Sequence, residues 1–408
     1  MRIAMISEHA SPLAALGGVD AGGQNVYIAA LALELADQGH DVVVYTRRDD
    51  ADLADRVRTH AGVDVVHVPA GPATALPKDE LAPYMPAFGR WLARDWLSHG
   101  RPDVVHSHFW MSGLAALEAT QHVPVPVVHT YHALGTVKRR HQGSADTSPP
   151  GRIRAERRIG RSVDLVVATC RDEVDELRRM GVPPDTVRVV PCGVDVGRFT
   201  DQPSDDGHDP AGARNRPHRL LSVSRLVPRK GIDTVVEALA QLPTAELLIG
   251  GGPPADRVDD EPEIRRLRDV ARQHGVADRV RFLGSVDRGD MPALIRASDV
   301  VVTTPWYEPF GMVPLEAAAC GRPLVGSAVG GLLDSVEDGV TGRLVPARDP
   351  EALAVAIGGL LADPVMRQRY GDAARRRALE QFAWGTVAAR TLDAYHEATH
   401  PALKEAMA

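Results

Sequence analysis

The chain is poor in cysteine and in aromatic residues. Of its 408 residues only 3 are Cys, and 4% are Phe, Trp or Tyr. The cysteines, Cys170, Cys192 and Cys320, are far apart and show no spacing typical of a metal or redox site. We expect the three cysteines to be small buried residues in a reducing compartment.

The sequence also lacks any apolar run long enough to span a membrane. Its first residues, MRIAMIS, have the pattern of an apolar strand and no signal-peptide cleavage region, so we expect a cytoplasmic protein. An excess of positive charge is missing as well, because 47 Lys and Arg face 54 Asp and Glu, for a net charge of −7. This balance excludes a general binder of nucleic acid or of anionic membranes, since both require a basic surface.

Short β-branched runs alternate with longer amphipathic stretches along the whole chain, such as the predicted helices 24–38 and 81–99. This alternation predicts βαβ units and parallel sheets. The predicted strands of the first half are 2–7, 41–46, 65–68, 103–107, 125–130, 165–169 and 187–190. Those of the second half are 220–224, 245–250, 280–283, 300–304, 323–326 and 342–345, and the chain from 350 onwards is predicted to be helical.

A polar segment rich in Pro, Gly and Asp, residues 200–217, separates the two halves and predicts a linker. We predict one Rossmann-like domain over residues 1–199, a second over residues 218–380, and a last helical segment over residues 381–408. The fold class is α/β, with two doubly wound domains facing an interdomain cleft. Ligands of such sheets bind beyond the carboxyl ends of the strands, so the cleft is the predicted site.

Two carboxylates stand out in the second half. Glu308 and Glu316 lie eight residues apart across a Pro-Phe-Gly-Met turn, and a Gly-rich loop, PLVGSAVGG, follows them. Carboxylates accept hydrogen bonds from sugar hydroxyls, and amides at a helix start hold anions. The segment therefore indicates a polyhydroxyl ligand that carries phosphate. One exposed turn glutamate and one helix-start glutamate would give the same pattern without a ligand.

Two cations follow the predicted strand 220–224. Arg225 and Lys230 lie in SRLVPRKG, where Arg can chelate phosphate oxygens as a fork and Lys acts as a point charge. The pair is therefore suited to neutralise a diphosphate. Taken alone, the segment would more simply be a solvated loop. The glycine triplet 250–252 is likewise expected to form a turn in the first place and a phosphate contact only in the second.

The loop after the first strand, GGVDAGGQNVYI, also indicates a phosphate or sugar. Gly22 and Gly23 precede a predicted helix and permit close approach of backbone amides to a ligand. A dinucleotide site is disfavoured because the G-x-G-x-x-G spacing is missing. In addition, Arg47 and Arg48, rather than an acidic residue, follow the second strand.

Several histidines could suggest a metal site, and three of them flank predicted strand ends. No cysteine or carboxylate cluster accompanies them, so we expect no metal ion and no other cofactor. The histidines in question are His9, His106, His108, His129 and His141.

Six motifs, in one order, resemble a retaining glycosyltransferase of family 4 with the GT-B fold, and they span nearly the whole chain. They are GGVDAGGQNVY, HSHFW (106–110), HTYHALGTVK (129–138), VPCGVD (190–195), SRLVPRKG and the Glu308/Glu316 segment. Sucrose-phosphate synthases and the inositol-phosphate N-acetylglucosaminyltransferases of mycothiol biosynthesis share the AGGQN-type first loop. The resemblance also implies that the last helix, within 381–408, crosses back to the N-terminal domain.

The resemblance implies that a hexose moves from a nucleotide sugar, taken as UDP-linked by resemblance alone, to a small hydroxyl acceptor without a metal ion. Arg225 and Lys230 would hold the diphosphate, Glu316 the ribose and Glu308 the sugar hydroxyls. The other implied donor-side residues are Gly23, Arg281 or the backbone after it, Gly311, Met312 and, beside the sugar, His132. Of these residues, His132, Arg225, Lys230 and Glu308 would be catalytic.

The acceptor side departs from the resemblance. The implied acceptor-side residues are Gln24, Asn25, Lys78, Phe109, Ala133 and Arg154. A Tyr expected after HSH is Phe109 here, and a Thr expected after HTYH is Ala133. Each change removes a hydroxyl whose hydrogen bond to a charged phosphate is worth roughly 1.5–3 kcal/mol. We therefore expect a neutral sugar, cyclitol or small alcohol as acceptor, while Lys78 and Arg154 keep a phosphorylated one open.

Two other functions remain open from the residues. One is an enzyme like the UDP-N-acetylglucosamine 2-epimerases, which share the two-domain architecture but need no acceptor. The other is a non-catalytic protein that binds sugar nucleotides. The expected partners are small molecules in each case, with no nucleic acid, no membrane span, and a homodimer left open.

Overall fold

The computed structural model describes residues 1–13, 22–202 and 210–400. Part of the Gly-rich first loop (17–21), the middle of the predicted linker (203–209) and the last eight positions lie outside the described residues. The chain divides into two units, one made of Met1–Cys192 with Trp384–Ala408 and the other of Gly193–Ala383. No helix of the described ranges combines the length and apolar character needed to cross a membrane.

The first unit contains an eight-stranded sheet in the order β3-β4-β2-β1-β5-β6-β7-β8. Its strands are β1 (Arg2–Ile6), β2 (Asp41–Arg47), β3 (Arg56–Arg58), β4 (Asp64–Val68), β5 (Val104–His108), β6 (Val127–Thr130), β7 (Leu165–Ala168) and β8 (Val187–Val189). Its helices up to this point are α1 (Gly23–Asp37), α2 (Met85–His99), α3 (Trp110–His122), α4 (Gly135–Gln142), α5 (Arg152–Ser162) and α6 (Arg171–Arg179). All neighbours pair in parallel except β3 and β4.

The second unit contains a parallel six-stranded sheet in the order β11-β10-β9-β12-β13-β14. Its strands are β9 (His218–Val223), β10 (Ala245–Gly250), β11 (Val280–Gly284), β12 (Val300–Thr303), β13 (Leu324–Ser327) and β14 (Gly342–Val345). Its helices are α7 (Ile232–Leu239), α8 (Pro262–Gln273), α9 (Met291–Arg296), α10 (Val313–Ala319), α11 (Leu332–Ser335), α12 (Pro350–Ala362) and α13 (Pro364–Arg377). The two parallel sheets with crossover helices confirm the predicted fold class.

Aliphatic residues form most of the core of the second unit. In the second unit the large buried cluster consists of Leu, Ile, Val and Ala side chains together with Tyr370. All three cysteines are buried. Strand β3 was not predicted, because a three-residue segment with an arginine at each end has no apolar pattern. It is an exposed antiparallel edge strand, and its charges protect the sheet edge from further pairing.

The last helix, α14 (Trp384–Thr399), belongs to the first unit and packs on α1 and on strands β5 to β7. Arg188 forms a two-pronged ion pair with Glu397, with N–O distances of 2.9 and 2.6 Å. The buried Tyr395 hydroxyl lies 2.7 Å from Nδ1 of His106. The contacts divide the units after Cys192, ahead of the predicted linker, because Val194 already donates its N–H to Phe382 of the second unit at 2.7 Å.

A buried ion pair fixes the described end of the predicted linker, residues 210–217, to the second sheet. Arg219 donates to Glu246 at 2.6 Å and to the carbonyl oxygen of Gly212 at 2.8 Å. The second carboxylate oxygen of Glu246 accepts the N–H of Asn215 at 2.9 Å. Both charged side chains are essentially inaccessible to solvent. This part of the segment is therefore integral to the second unit.

We predict that Arg219→Met destabilises the second unit by about 3–5 kcal/mol, because it leaves the Glu246 carboxylate buried without its cation. The measurement is urea unfolding at neutral pH. Arg272→Met is the control, since it removes an exposed arginine paired with Asp269 and should cost less than about 1 kcal/mol. Equal urea midpoints for the two variants would contradict the role given to Arg219.

Candidate functional site

Lys230 and Glu308 form an ion pair beyond the carboxyl ends of two adjacent strands in the second unit. Lys230 lies in the loop after β9, and Glu308 lies in the turn after β12. Their side chains are only 14% and 16% exposed. Loops that leave neighbouring parallel strands emerge side by side, so the sheet itself brings these residues together.

A glycine holds the lysine loop against β12. Gly231 has a φ of 64°, and a Cβ there would lie 2.0 Å from the carbonyl oxygen of Thr304. The Thr304 hydroxyl donates to the Gly231 carbonyl at 2.6 Å, and the Trp306 N–H donates to the Arg229 carbonyl at 2.9 Å. Because only glycine tolerates both the close approach and the left-handed backbone, the position of Lys230 depends on it.

The glycines of the PLVGSAVGG loop support the turn that contains Glu308. The N–H of Gly331 donates to the carbonyl oxygen of Glu308 at 2.9 Å. A Cβ on Gly330 would lie 2.1 Å from the same oxygen, and one on Gly331 would lie 2.3 Å from Cα of Phe310. Both positions therefore require glycine, because the two backbone segments pack closely. This packing fixes the backbone from which the Glu308 side chain extends.

Glu316 lies in the short helix α10 and is buried. Burial raises the pKa of its carboxyl group to about 7, and the positive charge of Arg288 opposes this rise. The carboxyl group therefore titrates near neutral pH, where donated hydrogen bonds from ligand hydroxyls would favour the charged form. Arg288 was not predicted as a site residue, because it lies in a polar loop, SVDRGD, without a distinguishing pattern.

Lys230 and Arg229 are cations close to the Glu308 carboxylate, and Arg225 is a third cation close to Arg229. Arg225 is exposed, whereas Arg229 and Lys230 are partly buried. The pKa of Arg229 is lowered by burial and then by the like charge of Arg225, while Glu308 acts in the opposite direction. With one carboxylate among three cations, the loop keeps a net positive charge that suits a phosphate-bearing ligand. Arg229 was missed in the sequence, although it directly precedes Lys230.

The other predicted donor-side residues have different surroundings. Arg281 donates to the backbone carbonyls of Ala211 and Ala213, the latter at 3.0 Å, so its guanidinium holds the linker. Gly311 has a φ of 85°, and a Cβ there would lie 3.1 Å from Cγ of Glu308. Met312 is the residue that precedes helix α10.

In the first unit, buried histidines surround the ends of β5 and β6. Nδ1 of His108 lies 3.1 Å from Nε2 of His132, which has a φ of 58° and keeps part of its surface exposed. His106 bonds through both ring nitrogens, to Tyr395 at 2.7 Å and to Thr130 at 2.9 Å. Burial lowers the pKa of His132 to about 3, with a further contribution from His9, so its imidazole is neutral at physiological pH.

Three of the predicted acceptor-side residues form one group. Nζ of Lys78 lies 5.1 Å from the centre of the buried Phe109 ring, and the Arg152 guanidinium carbon lies 5.0 Å from it. Arg152 also donates to the Ala133 carbonyl at 2.6 Å and to Glu156 at 2.8 Å. The group therefore has Phe109 at its centre and is held by Arg152, a residue that the sequence analysis missed.

The remaining predicted residues of the first unit lie at α1 and on α5. Gly23 is exposed at the start of α1, and Gln24 beside it is partly buried. The buried Asn25 donates to the Ser11 carbonyl at 3.1 Å and accepts the Gly22 N–H at 3.3 Å. Arg154 is exposed on α5, and within the described residues no hydrogen bond or ring contact ties it to Phe109.

Within residues 1–13, 22–202 and 210–400, no group of three or more His, Cys, Asp or Glu side chains is arranged to hold a metal ion. The two units differ in the functional groups that they can offer to a ligand. The second unit offers cations and two carboxylates at strand ends, and the first offers neutral histidines and a cation–aromatic group.

Two family models match the chain, Glycosyltransferase Family 4 over residues 21–198 and Glycosyl transferases group 1 over residues 205–377. A D-inositol 3-phosphate glycosyltransferase of Xylanimonas cellulosilytica is 39% identical over 98% of this chain and 97% of its own. A protein of the same name from Streptomyces coelicolor is 38% identical over 97% and 91% of the two chains.

Among solved structures, sucrose-phosphate synthase from Thermosynechococcus elongatus is similar, with a TM-score of 0.85 and 33% identity over 97% of this chain and 98% of that one. The similarity to this structure and to the sequence relatives covers both sheets and all the motifs described above. The chain therefore belongs to family 4 of the glycosyltransferases, with the GT-B fold.

Proposed function

We propose that the protein transfers a sugar, with retention of anomeric configuration and without a metal ion, from a UDP-sugar to a small hydroxyl acceptor. The observation that supports this most is the Lys230–Glu308 pair, with Arg229 near Glu308 and Arg225 near Arg229. One loop pair supplies cations for a diphosphate and a carboxylate for sugar hydroxyls. The buried Glu316 supplies a second carboxylate for the ribose.

The cations would act on the leaving group. Breaking a glycosyl–phosphate bond develops negative charge on the diphosphate and oxocarbenium character on the sugar. Arg225 and Lys230 would stabilise that charge in the place of a divalent ion, and Glu308 would orient the sugar through its hydroxyls. Arg229, partly buried beside them, would strengthen the positive field. UDP is preferred to other nucleotides on the resemblance to the family alone.

Retention would follow a front-face route, in which the departing phosphate accepts the proton of the acceptor hydroxyl. The new glycosidic bond then forms on the face from which the nucleotide leaves. His132 does not compete for this proton, since burial keeps its pKa near 3. The proton therefore has a defined destination without a basic side chain.

The acceptor would be a small cyclitol or sugar with little dependence on a phosphate. The relatives reported above bear the name D-inositol 3-phosphate glycosyltransferase. In this chain, however, Phe109 and Ala133 supply no hydroxyl at the positions where that group is expected to have Tyr and Thr. The Phe109 ring instead lies next to the cations of Lys78 and Arg152. Two donors to a phosphate are thereby lost, while Lys78 remains.

The direct test is release of UDP from UDP-glucose and UDP-N-acetylglucosamine in EDTA, with and without inositol or a simple sugar, and NMR of the product anomer. We expect acceptor-dependent release and retention. Lys230→Met should lower turnover by about 10²–10³-fold, the usual cost of one charge-stabilising group. The control is Arg343→Met, which removes a surface cation paired with Asp338 in the same unit and should leave turnover unchanged. Release without acceptor, inversion, or a metal requirement would refute the proposal.

A second prediction concerns the acceptor. The double variant Phe109→Tyr, Ala133→Thr should raise kcat/KM for inositol 3-phosphate relative to free inositol by at least about tenfold, because each restored hydroxyl can donate to the phosphate. Lys78→Met in the same background should cancel the gain. If the unmodified protein already prefers the phosphorylated acceptor as strongly as the double variant does, the neutral acceptor is wrong.

A further inference from the structure

One ring nitrogen of His132 has a hydrogen-bond partner in the protein, and the other can bond to a ligand. Nε2 lies 3.1 Å from Nδ1 of His108, which is a hydrogen-bond distance. Nδ1 of His132 has no hydrogen-bond partner among the described residues, on a side chain that keeps part of its surface exposed. Each neutral imidazole has one ring proton. The proton shared between the two rings therefore decides whether the available nitrogen of His132 donates or accepts.

The surroundings of His108 decide where that proton lies. Its ring is completely buried, and Nε2 has no hydrogen-bond partner within the described residues. If Nε2 had the proton, a buried N–H would be left unpaired, which is rare in proteins and costly. A bare nitrogen lone pair at the same place is tolerated better. The proton of His108 is therefore on Nδ1, and it is donated to Nε2 of His132.

A second histidine on the neighbouring strand shows the same arrangement. His129 is also fully buried, and its Nε2 has no partner in the part of the chain that the structure describes. Its Nδ1 lies 2.8 Å from the hydroxyl oxygen of Ser107, and that oxygen lies 3.4 Å from the Val128 carbonyl oxygen. The unpaired burial of Nε2 again favours the proton on Nδ1, where the Ser107 oxygen can accept it.

We propose that His108 is a positioning residue that holds His132 in the Nδ1–H form, so that His132 offers one neutral N–H donor to a substrate oxygen. The step involves no proton transfer, because Nε2 of His132 is occupied by the His108 proton and Nδ1 already has its own. His132 can therefore bind a hydroxyl or phosphate oxygen but cannot act as a base. The identity of that oxygen rests on the proposed function, whereas the assignment of the proton does not.

The backbone and packing of His132 hold the ring in this orientation. Its φ of 58° lies in the left-handed region, which a residue with a Cβ adopts only at an energetic cost. The ring edge packs against Tyr27, with centroids 5.2 Å apart, and Tyr27 in turn packs against Trp384 of α14 at 5.6 Å. The imidazole is thus fixed by a ring contact on one side and the His108 hydrogen bond at Nε2.

The test is long-range ¹H–¹⁵N NMR of the full-length protein labelled in histidine, at pH 7 and without substrate. Protonated and bare ring nitrogens have well-separated ¹⁵N shifts, so the spectrum identifies each tautomer. We expect His132 and His108 both to be protonated at Nδ1. A His132 protonated at Nε2 would overturn the proposal, whether or not the enzyme transfers sugar.

Variants then test the function of the hydrogen bond. His108→Phe keeps ring volume but removes the donor, so His132 should lose its fixed Nδ1–H form. We expect kcat to fall about 10–100-fold, the range seen when the partner that fixes the tautomer of a metal-ligating histidine is removed. KM for the nucleotide sugar should change little. In His108→Asn the amide nitrogen can replace Nδ1 as the donor. This variant should therefore restore part of kcat and part of the Nδ1–H form of His132.

The matched control is His129→Phe, which loses a buried histidine of the same kind but one not bonded to His132. It should leave the His132 tautomer and kcat nearly unchanged while costing similar thermal stability. Loss of kcat in His108→Phe with an unaltered His132 spectrum, or an equal loss in His129→Phe, would contradict the proposal. If His108→Phe does not fold, the spectrum of the unmodified protein alone decides.

Discussion

The ion pair between Lys230 and Glu308 connects the two loops that follow β9 and β12. The pair forms because β9 and β12 are neighbours in the sheet and because Gly231 and Gly330 allow their loops to pack closely. Once formed, it holds a cation and a carboxylate at fixed positions with little exposure to solvent. Ligand binding then requires little reorganisation, which is how preorganised charges lower a barrier. Arg219, on the same sheet, fixes the incoming linker so that β9 is well anchored.

The first unit is characterised by buried, neutral histidine side chains rather than by charged ones. Its histidines are enclosed by the sheet and by α14, and burial depresses the pKa of His129 and His132 to about 3. Neutral imidazoles are directional hydrogen-bond donors or acceptors, and neighbouring side chains select which. The group around Phe109 is also fixed by neighbouring side chains, since Arg152 is held by Glu156 and the Ala133 carbonyl and is thus placed beside the ring. The second unit thus has cations beyond its strand ends, whereas the first has neutral imidazoles there.

Much of the fold could be predicted because parallel strands are uniformly apolar and the helices between them are amphipathic. The short edge strand β3 and the division after Cys192 could not, since they depend on pairing and on the Val194–Phe382 hydrogen bond rather than on local pattern. Motifs indicated most of the candidate site residues, but not Arg152, Arg229 or Arg288, because no local pattern distinguishes these arginines from others in the chain. The tautomer of His132 depends on a neighbour twenty-four residues away in sequence.

The most direct test of the donor site is a thermal-shift screen of metal-free protein in EDTA against UDP, GDP, ADP and TDP. We predict that one nucleotide, at about a hundredfold excess over its dissociation constant, stabilises the protein by about 2.7 kcal/mol. Lys230→Met should remove most of that shift, while the surface variant Arg343→Met should retain it. A well-folded protein that responds to none of the nucleotides, or responds only when a divalent ion is added, would contradict it.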